Sequence, residues 1–147
     1  MKPSRRDLAY LLPAVASAQE KKQPAPKPKL ASKVYVYEDL AVRQNGPNNV
    51  NRQRAVLNGL LHSGFPLECH ITELAPGQAP HDQHKHSHEE MVLLRTGQLD
   101  VTVEGKTTRL SAGSVAIVAS NEMHGWKNPS TTERAEYFVV ALGQGQA

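Results

Sequence analysis

The chain has 147 residues, with 10 Gly, 10 Pro, one Cys and seven His, a length that suits one domain around a single core. Its formal charge of +3 sits in the first 33 residues, where Lys2, Arg5, Arg6, Lys21, Lys22, Lys27, Lys29 and Lys33 face only Asp7 and Glu20. Residues 34–147 keep nine basic against twelve acidic side chains, so the domain is mildly acidic and nucleic acid is excluded as a partner.

The chain opens with MKPSRRDLAYLLPAVASAQ: a basic start, a modest apolar stretch from Leu8, and Ala16-Ser17-Ala18 before Gln19. That order is the layout of a secretory signal, and a signal peptide is expected over residues 1–18. SRRDL resembles the twin-arginine pattern S/T-R-R-x-F-L-K, with Leu8 in place of Phe and with Ala9 and Tyr10 departing from it. The apolar stretch falls well short of the ~20 residues that span a bilayer, so no stable membrane anchor is expected. Residues 19–33, rich in Pro and Lys, read as an extended, solvated linker. These two segments together imply export to the periplasm or the exterior.

The domain is expected over 34–147. VYVYEDL (34–40) is β-branched and aromatic and reads as the first strand. Residues 53–61 are the only stretch arguable as a helical turn. LECHITEL (67–74) alternates, with Leu67, Cys69 and Ile71 on one face and Glu68, His70 and Thr72 on the other. A lone Cys69 excludes an intramolecular disulfide, and its position among apolar residues reads as a small buried side chain. EMVLLRT (90–96) and QLDVTVEG (98–105) are strands on either side of Gly97, and Glu104-Gly105-Lys106 makes a tight hairpin to TTRL. SVAIVA (114–119) and AEYFVVAL (135–142) complete the set. Short strands punctuated by Gly and Pro make an all-β sandwich or barrel.

Four of the seven His fall in HDQHKHSHEE, residues 81–90. His84 and His86 are two apart, so on extended backbone both project to one face, and Glu90 reaches the same point after a short turn. A solvated His-rich loop would be indifferent to the residues downstream of it. Here the cluster runs directly into MVLLRTG, and charge entering a core needs a partner such as a metal ion.

The segment resembles the first cupin motif, G-(x)5-H-x-H-(x)3-4-E-(x)6-G. Gly77, His84, His86, Glu90 and Gly97 match it, with one extra residue between Gly77 and His84. The second cupin motif, G-(x)5-P-x-G-(x)2-H-(x)3-N, falls on Gly113, Ala119, Asn121, His124 and Asn128 with every spacing kept. Ala119 replaces Pro and Asn121 replaces Gly; Asn tolerates left-handed backbone better than other non-Gly residues, so the turn survives.

The resemblance, carried by motifs at 77–97 and 113–128, implies a cupin jelly-roll β-barrel in a single-domain protein. It also implies a divalent transition metal held by His84, His86, Glu90 and His124. His88 shares the two-residue spacing with His86, but no acid lies beyond it at the required distance, where Val92 and Leu93 stand; with Glu89 it reads as a neighbour. His81, in the enlarged loop, either supports the ligands from behind or is simply solvated. Trp126, two residues past His124, and His70 are candidates to contact a substrate, Glu90 is the one candidate acid or base, and Asn128 serves its turn. His62 has no metal spacing.

Three neutral imidazoles and one carboxylate around a divalent ion leave a charge near +1 and one or two open coordination positions. Mn, Fe, Zn, Ni and Cu all fit such donors. The expected partner is a small molecule that is anionic or chelating: a carboxylate, enolate, diol or hydroxy-ketone. The expected function is that of a metal-dependent oxygenase, hydrolase or isomerase, or of a protein that binds a sugar or organic acid without chemistry. Isolated cupins resemble proteins that pair, so a homodimer is expected. Ligand His must be neutral, so metal affinity should fall below about pH 6.5.

Overall fold

The computed structural model describes residues 26–143. Among them there are nine strands and no α-helix: β1 Val42–Asn45, β2 Asn51–Leu60, β3 Pro66–Leu74, β4 Glu89–Thr96, β5 Gln98–Val103, β6 Lys106–Ser111, β7 Val115–Val118, β8 His124–Lys127 and β9 Ala135–Leu142. They form a six-stranded sheet in the order β1-β2-β3-β9-β4-β7 and a three-stranded sheet in the order β6-β5-β8. Every pairing between these nine strands is antiparallel. This is the all-β jelly roll that the motifs imply. No helix of the described residues is long and apolar enough to cross a membrane.

The period-2 pattern decides what lies between the sheets. Val92 and Leu94 from β4, Tyr137 and Val139 from β9, and Leu99, Val101 and Trp126 from the smaller sheet form one buried cluster. Leu74, Val92, Leu94 and Leu99 are fully buried; each such side chain is worth about 1.5–3 kcal/mol in transfer from water. The intervening residues of β4 and β7 face outward, where Leu93, Val115 and Ile117 are exposed. Glu104 and Gly105 both take positive φ, 46° and 77°, as a two-residue hairpin of the expected kind requires.

Three expectations are corrected. VYVYEDL is not a strand: Val34 and Val36 are exposed and Tyr37–Asp39 forms a 3-10 turn. Extended residues make a strand only where a partner edge offers hydrogen bonds, and here a side chain fixes the segment instead. The Tyr37 hydroxyl donates to the Glu136 carboxylate, and its ring lies 4.5 Å and 4.6 Å from the guanidinium carbons of Arg54 and Arg95. Residues 53–61 are strand, not a helical turn, because nearly all of them belong to β2. A register shift between Ala55 and Leu57 breaks the alternation by which a strand is read. Cys69 is half-buried rather than buried, although Ile71 on the same face is buried; the other face of β3, with His70 and Thr72, lines a cavity beside their register partners Val139 and Tyr137.

The signal-like segment 1–18 and residues 19–25 of the linker lie outside the described residues. Further on, Leu30 N–H donates to the Leu60 carbonyl at 2.8 Å and Leu60 N–H to the Pro28 carbonyl at 2.8 Å. The chain thus meets the end of β2 before Val34.

Candidate metal centre

The His-rich segment belongs to the crossing from β3 to β4, and buried amides hold that crossing in place. Asn51 donates to the Ala79 carbonyl and accepts from Ala75 N–H, each at 3.0 Å. Asn128, fully buried, donates from its amide to the carbonyls of Leu74, Ala75 and Glu133 and accepts from Ser130 N–H. Its role reaches beyond its own turn, for it ties the end of β3 to the chain after β8.

His84 and His124 pair through both backbone groups, His84 N–H to His124 O at 3.0 Å and His124 N–H to His84 O at 2.8 Å. The loop therefore adds one rung to the edge of β8. The β7–β8 turn grips the next residues: Asn121 N–H donates to the His86 carbonyl at 2.7 Å, and the Ser120 hydroxyl donates to that of Ser87 at 2.8 Å. Asn121 sits at φ 65°, the left-handed backbone expected where the motif has Gly. Gly125 is needed for another reason: a Cβ there would lie 2.8 Å from Gln83 Cγ.

Ring nitrogens of His84, His86 and His124 converge within 4.8 Å of one another. Glu90 enters from the opposite sheet, with Oε2 at 3.2 Å from Nε2 of both His86 and His124. His86 is 7% exposed and His124 fully buried. All four expected ligands are thus gathered at one end of the barrel interior, across the gap between the sheets.

Hydrogen bonds from the far side of two rings set their tautomers. His86 Nδ1 lies 2.9 Å from the His88 carbonyl, and His124 Nδ1 lies 2.8 Å from the Glu122 carbonyl. A carbonyl only accepts, so each Nδ1 carries a proton, and in the neutral ring each Nε2 keeps a bare lone pair. Those Nε2 atoms are buried without a hydrogen-bond partner, as is His84 Nδ1. Two lone pairs aimed at one carboxylate oxygen are acceptors facing an acceptor, an arrangement that calls for a cation between them. Donors held at about 2.0–2.2 Å from one ion stand about 3 Å apart, and 3.2 Å meets that spacing. Burial first, then the neighbouring imidazoles, lowers the pKa of His84 below its ordinary 6.5, which keeps it in the neutral form that ligation requires.

His88 lies nearer than a bystander need. Its ring stacks on His86 with centroids 3.5 Å apart, and its Nε2 is 3.7 Å from Glu90 Oε1. His86, His88 and Glu90 make a second group able to hold an ion. Burial is the main cause that lowers the His88 pKa as well. His81 is exposed, and its ring stands edge-on to His84 at 4.3 Å. His62 is exposed as well.

Beside the ligands lies a cavity of about 120 Å³, bounded by Glu90, Trp126, His70, Thr72, Tyr137 and Gln53, among others. Trp126 both packs in the core and faces this space. Tyr137 is buried and hydrogen-bonded to Thr72, and burial pushes its phenol far above its ordinary pKa. Sequence reasoning missed Glu68, which holds His70 Nδ1 at 3.0 Å and 3.1 Å from its two carboxylate oxygens. The alternation of LECHITEL placed both residues on one face, and that was the available signal. Asn45 and Gln53, also at the cavity, leave no such sign, because β1 is short and polar and the alternation of β2 is broken between Ala55 and Leu57.

The family model described as "Cupin domain" (Cupin_2) matches residues 70–141. No curated protein gives a match. Among solved structures, an RmlC-like cupin from Shewanella frigidimarina superposes with a TM-score of 0.64 at 18% identity, covering 78% of this chain and 93% of that one. A predicted oxalate decarboxylase from Thermotoga maritima gives 0.62 at 19%, covering 76% and 100%. The polyketide cyclase RemF from Streptomyces resistomycificus gives 0.60 at 17%, covering 80% and 83%. Identities this low carry the fold alone. Family match, jelly-roll topology and the gathered His and Glu residues agree, and the chain belongs to the cupin family.

Proposed function

We propose that this protein is a metal-dependent enzyme acting on a small organic molecule, with the ion held by His84, His86, Glu90 and His124. One observation carries the reading: two buried, hydrogen-bond-oriented Nε2 lone pairs meet the same Glu90 oxygen at 3.2 Å. A divalent transition metal bound there supplies Lewis acidity to an oxygen donor of the substrate or, as iron or copper, redox chemistry with dioxygen. The chain's own contribution is to fix the donors, to shield them beneath Trp126 and Tyr137, and to offer hydrogen-bonding groups beside them. Two of the fold neighbours bear enzyme names, a decarboxylase and a cyclase, which supports catalysis as the general class.

A second reading is capture of a sugar or organic acid at the same ion without chemistry. The amides of Asn45 and Gln53 and the hydroxyl of Thr72 in the cavity favour it, since such groups bind neutral hydroxyls readily. The two readings separate when metal-loaded protein is supplied with catechols, diketones, sugars and ureido acids, with and without oxygen. Product formation supports the enzyme; saturable binding of an unchanged ligand supports the binding protein.

A homodimer and an exported location belong to the same proposal. Met91 pairs with Ile117 and Leu93 with Val115 on the outer face of the larger sheet, where Leu93, Val115 and Ile117 are 39%, 53% and 70% exposed. That apolar strip suits burial against a second copy. The signal-like order of residues 1–18 supports export.

A further inference from the structure

We propose that His70, backed by Glu68, is a proton acceptor in the metal-side cavity and that the site takes a small neutral hydroxyl-bearing molecule; this rests on the metal reading above. His70 and Glu68 project from the same face of β3, two residues apart, and the carboxylate brackets His70 Nδ1 at 3.0 Å and 3.1 Å. A carboxylate accepts, so Nδ1 carries a proton, and in the neutral ring Nε2 bears the lone pair. A carboxylate behind an imidazole fixes its tautomer and stabilises the imidazolium formed when the ring takes a proton. His70 borders the same cavity as Glu90, so a molecule bound beside the ligands lies within the space this ring faces.

The remaining lining sets the ligand class. The other titratable groups at the cavity are Glu90 from β4, Tyr137 from β9 and His81 from the β3–β4 crossing; no Lys or Arg is among the residues that bound it. An anionic substrate would find no guanidinium or ammonium partner there. Asn45 also borders the space, with a buried Oδ1 that has no hydrogen-bond partner, an acceptor suited to a ligand O–H. Gln53 and Thr72 add neutral donors and acceptors. A neutral diol or hydroxy-ketone enters protonated and loses one proton on binding. The O–H bond breaks, an N–H bond forms at His70 Nε2, and the electron pair stays on the ligand oxygen.

Acetohydroxamic acid tests this, being a small neutral oxygen chelator that sheds one proton when it binds a metal ion. Calorimetry of the zinc-loaded full chain at neutral pH, in two buffers of different ionisation enthalpy, counts protons passed to solvent. The expected count is close to none for the native protein and about one for His70→Gln, with affinity about tenfold weaker in the variant. Glu68→Gln falls between them. Oxalate, which arrives already deprotonated, should bind both proteins within about twofold. Equal proton counts and equal hydroxamate affinities in native and His70→Gln protein, with equal zinc, would overturn the inference. Side-chain nitrogen NMR of the apo-protein provides an arm that needs no metal: His70 should be the Nδ1–H tautomer, and the opposite tautomer would also overturn it. Hydroxamate binding unchanged in His124→Ala would instead strike at the metal reading, leaving the tautomer to decide this one.

Discussion

Glu90 Oε2 stands 3.2 Å from Nε2 of His124 although the two residues sit on opposite sheets. Because His124 Nδ1–H is given to the Glu122 carbonyl, in the neutral ring the near nitrogen has a lone pair and no proton for the carboxylate. His86 repeats the relationship from the β3–β4 crossing. Glu90→Gln should therefore split two properties. The amide can donate to one of those lone pairs, so the apo-protein should keep its stability or gain up to about 1 kcal/mol. Metal affinity should fall at least about tenfold, since a charged donor is lost. Denaturant titration and metal competition measure the two, and a variant that loses stability while keeping affinity would contradict the arrangement.

The lowered pKa values of His84 and His88 give the apo-protein a pH dependence with a defined sign. Between the lowered folded values and about 6.5 the unfolded chain binds more protons than the folded one. Stability from these two groups is therefore fully present above about pH 6.5 and is lost as pH falls through that window. Urea unfolding of metal-free protein across this range should show a midpoint that drops toward acid, and His84→Gln/His88→Gln should flatten the slope. An unchanged slope in the double variant would remove these residues from the account.

Gly125→Ala tests how the loop is seated. The new Cβ would lie 2.8 Å from Gln83 Cγ, next to the residue that pairs with His124. The crossing should shift, weakening metal binding about tenfold by displacing a ligand. Removing the obstructing atoms with Gln83→Ala in the same chain should recover most of the affinity. Failure of that rescue would place the cause elsewhere.

Much of this centre was legible in the sequence because its positions obey rigid spacing. His84-x-His86, Glu90, and His124 behind a turn at Asn121 could be read as a set, and the backbone at Asn121 is left-handed as expected. The strands rich in Val, Leu and Ile after Glu90 could be read for the same reason. What escaped was polar or irregular. β2 is full of Asn, Arg and Gln, and its alternation breaks at Ala55. Val34–Val36 has strand composition but no pairing edge. Spacing alone leaves His88 a neighbour, whereas packing stacks it on His86, a relationship created by the turn into β4 and not by any period.

The outer strip of the larger sheet carries a prediction about assembly. Ile117, 70% exposed, should become buried in a dimer, and Ile117→Lys would place a charge in an apolar contact. Sedimentation should show a dimer for the native protein and a monomer for the variant, with zinc content unchanged. A monomeric native protein would contradict the proposed homodimer.

The most direct measurement is elemental analysis of the purified full chain from its native host, beside His84→Ala/His86→Ala prepared in the same way. About one transition-metal ion per native chain is expected, with nearly all of it lost in the double variant and the fold retained by circular dichroism. Undiminished metal in a folded double variant would contradict the His and Glu centre.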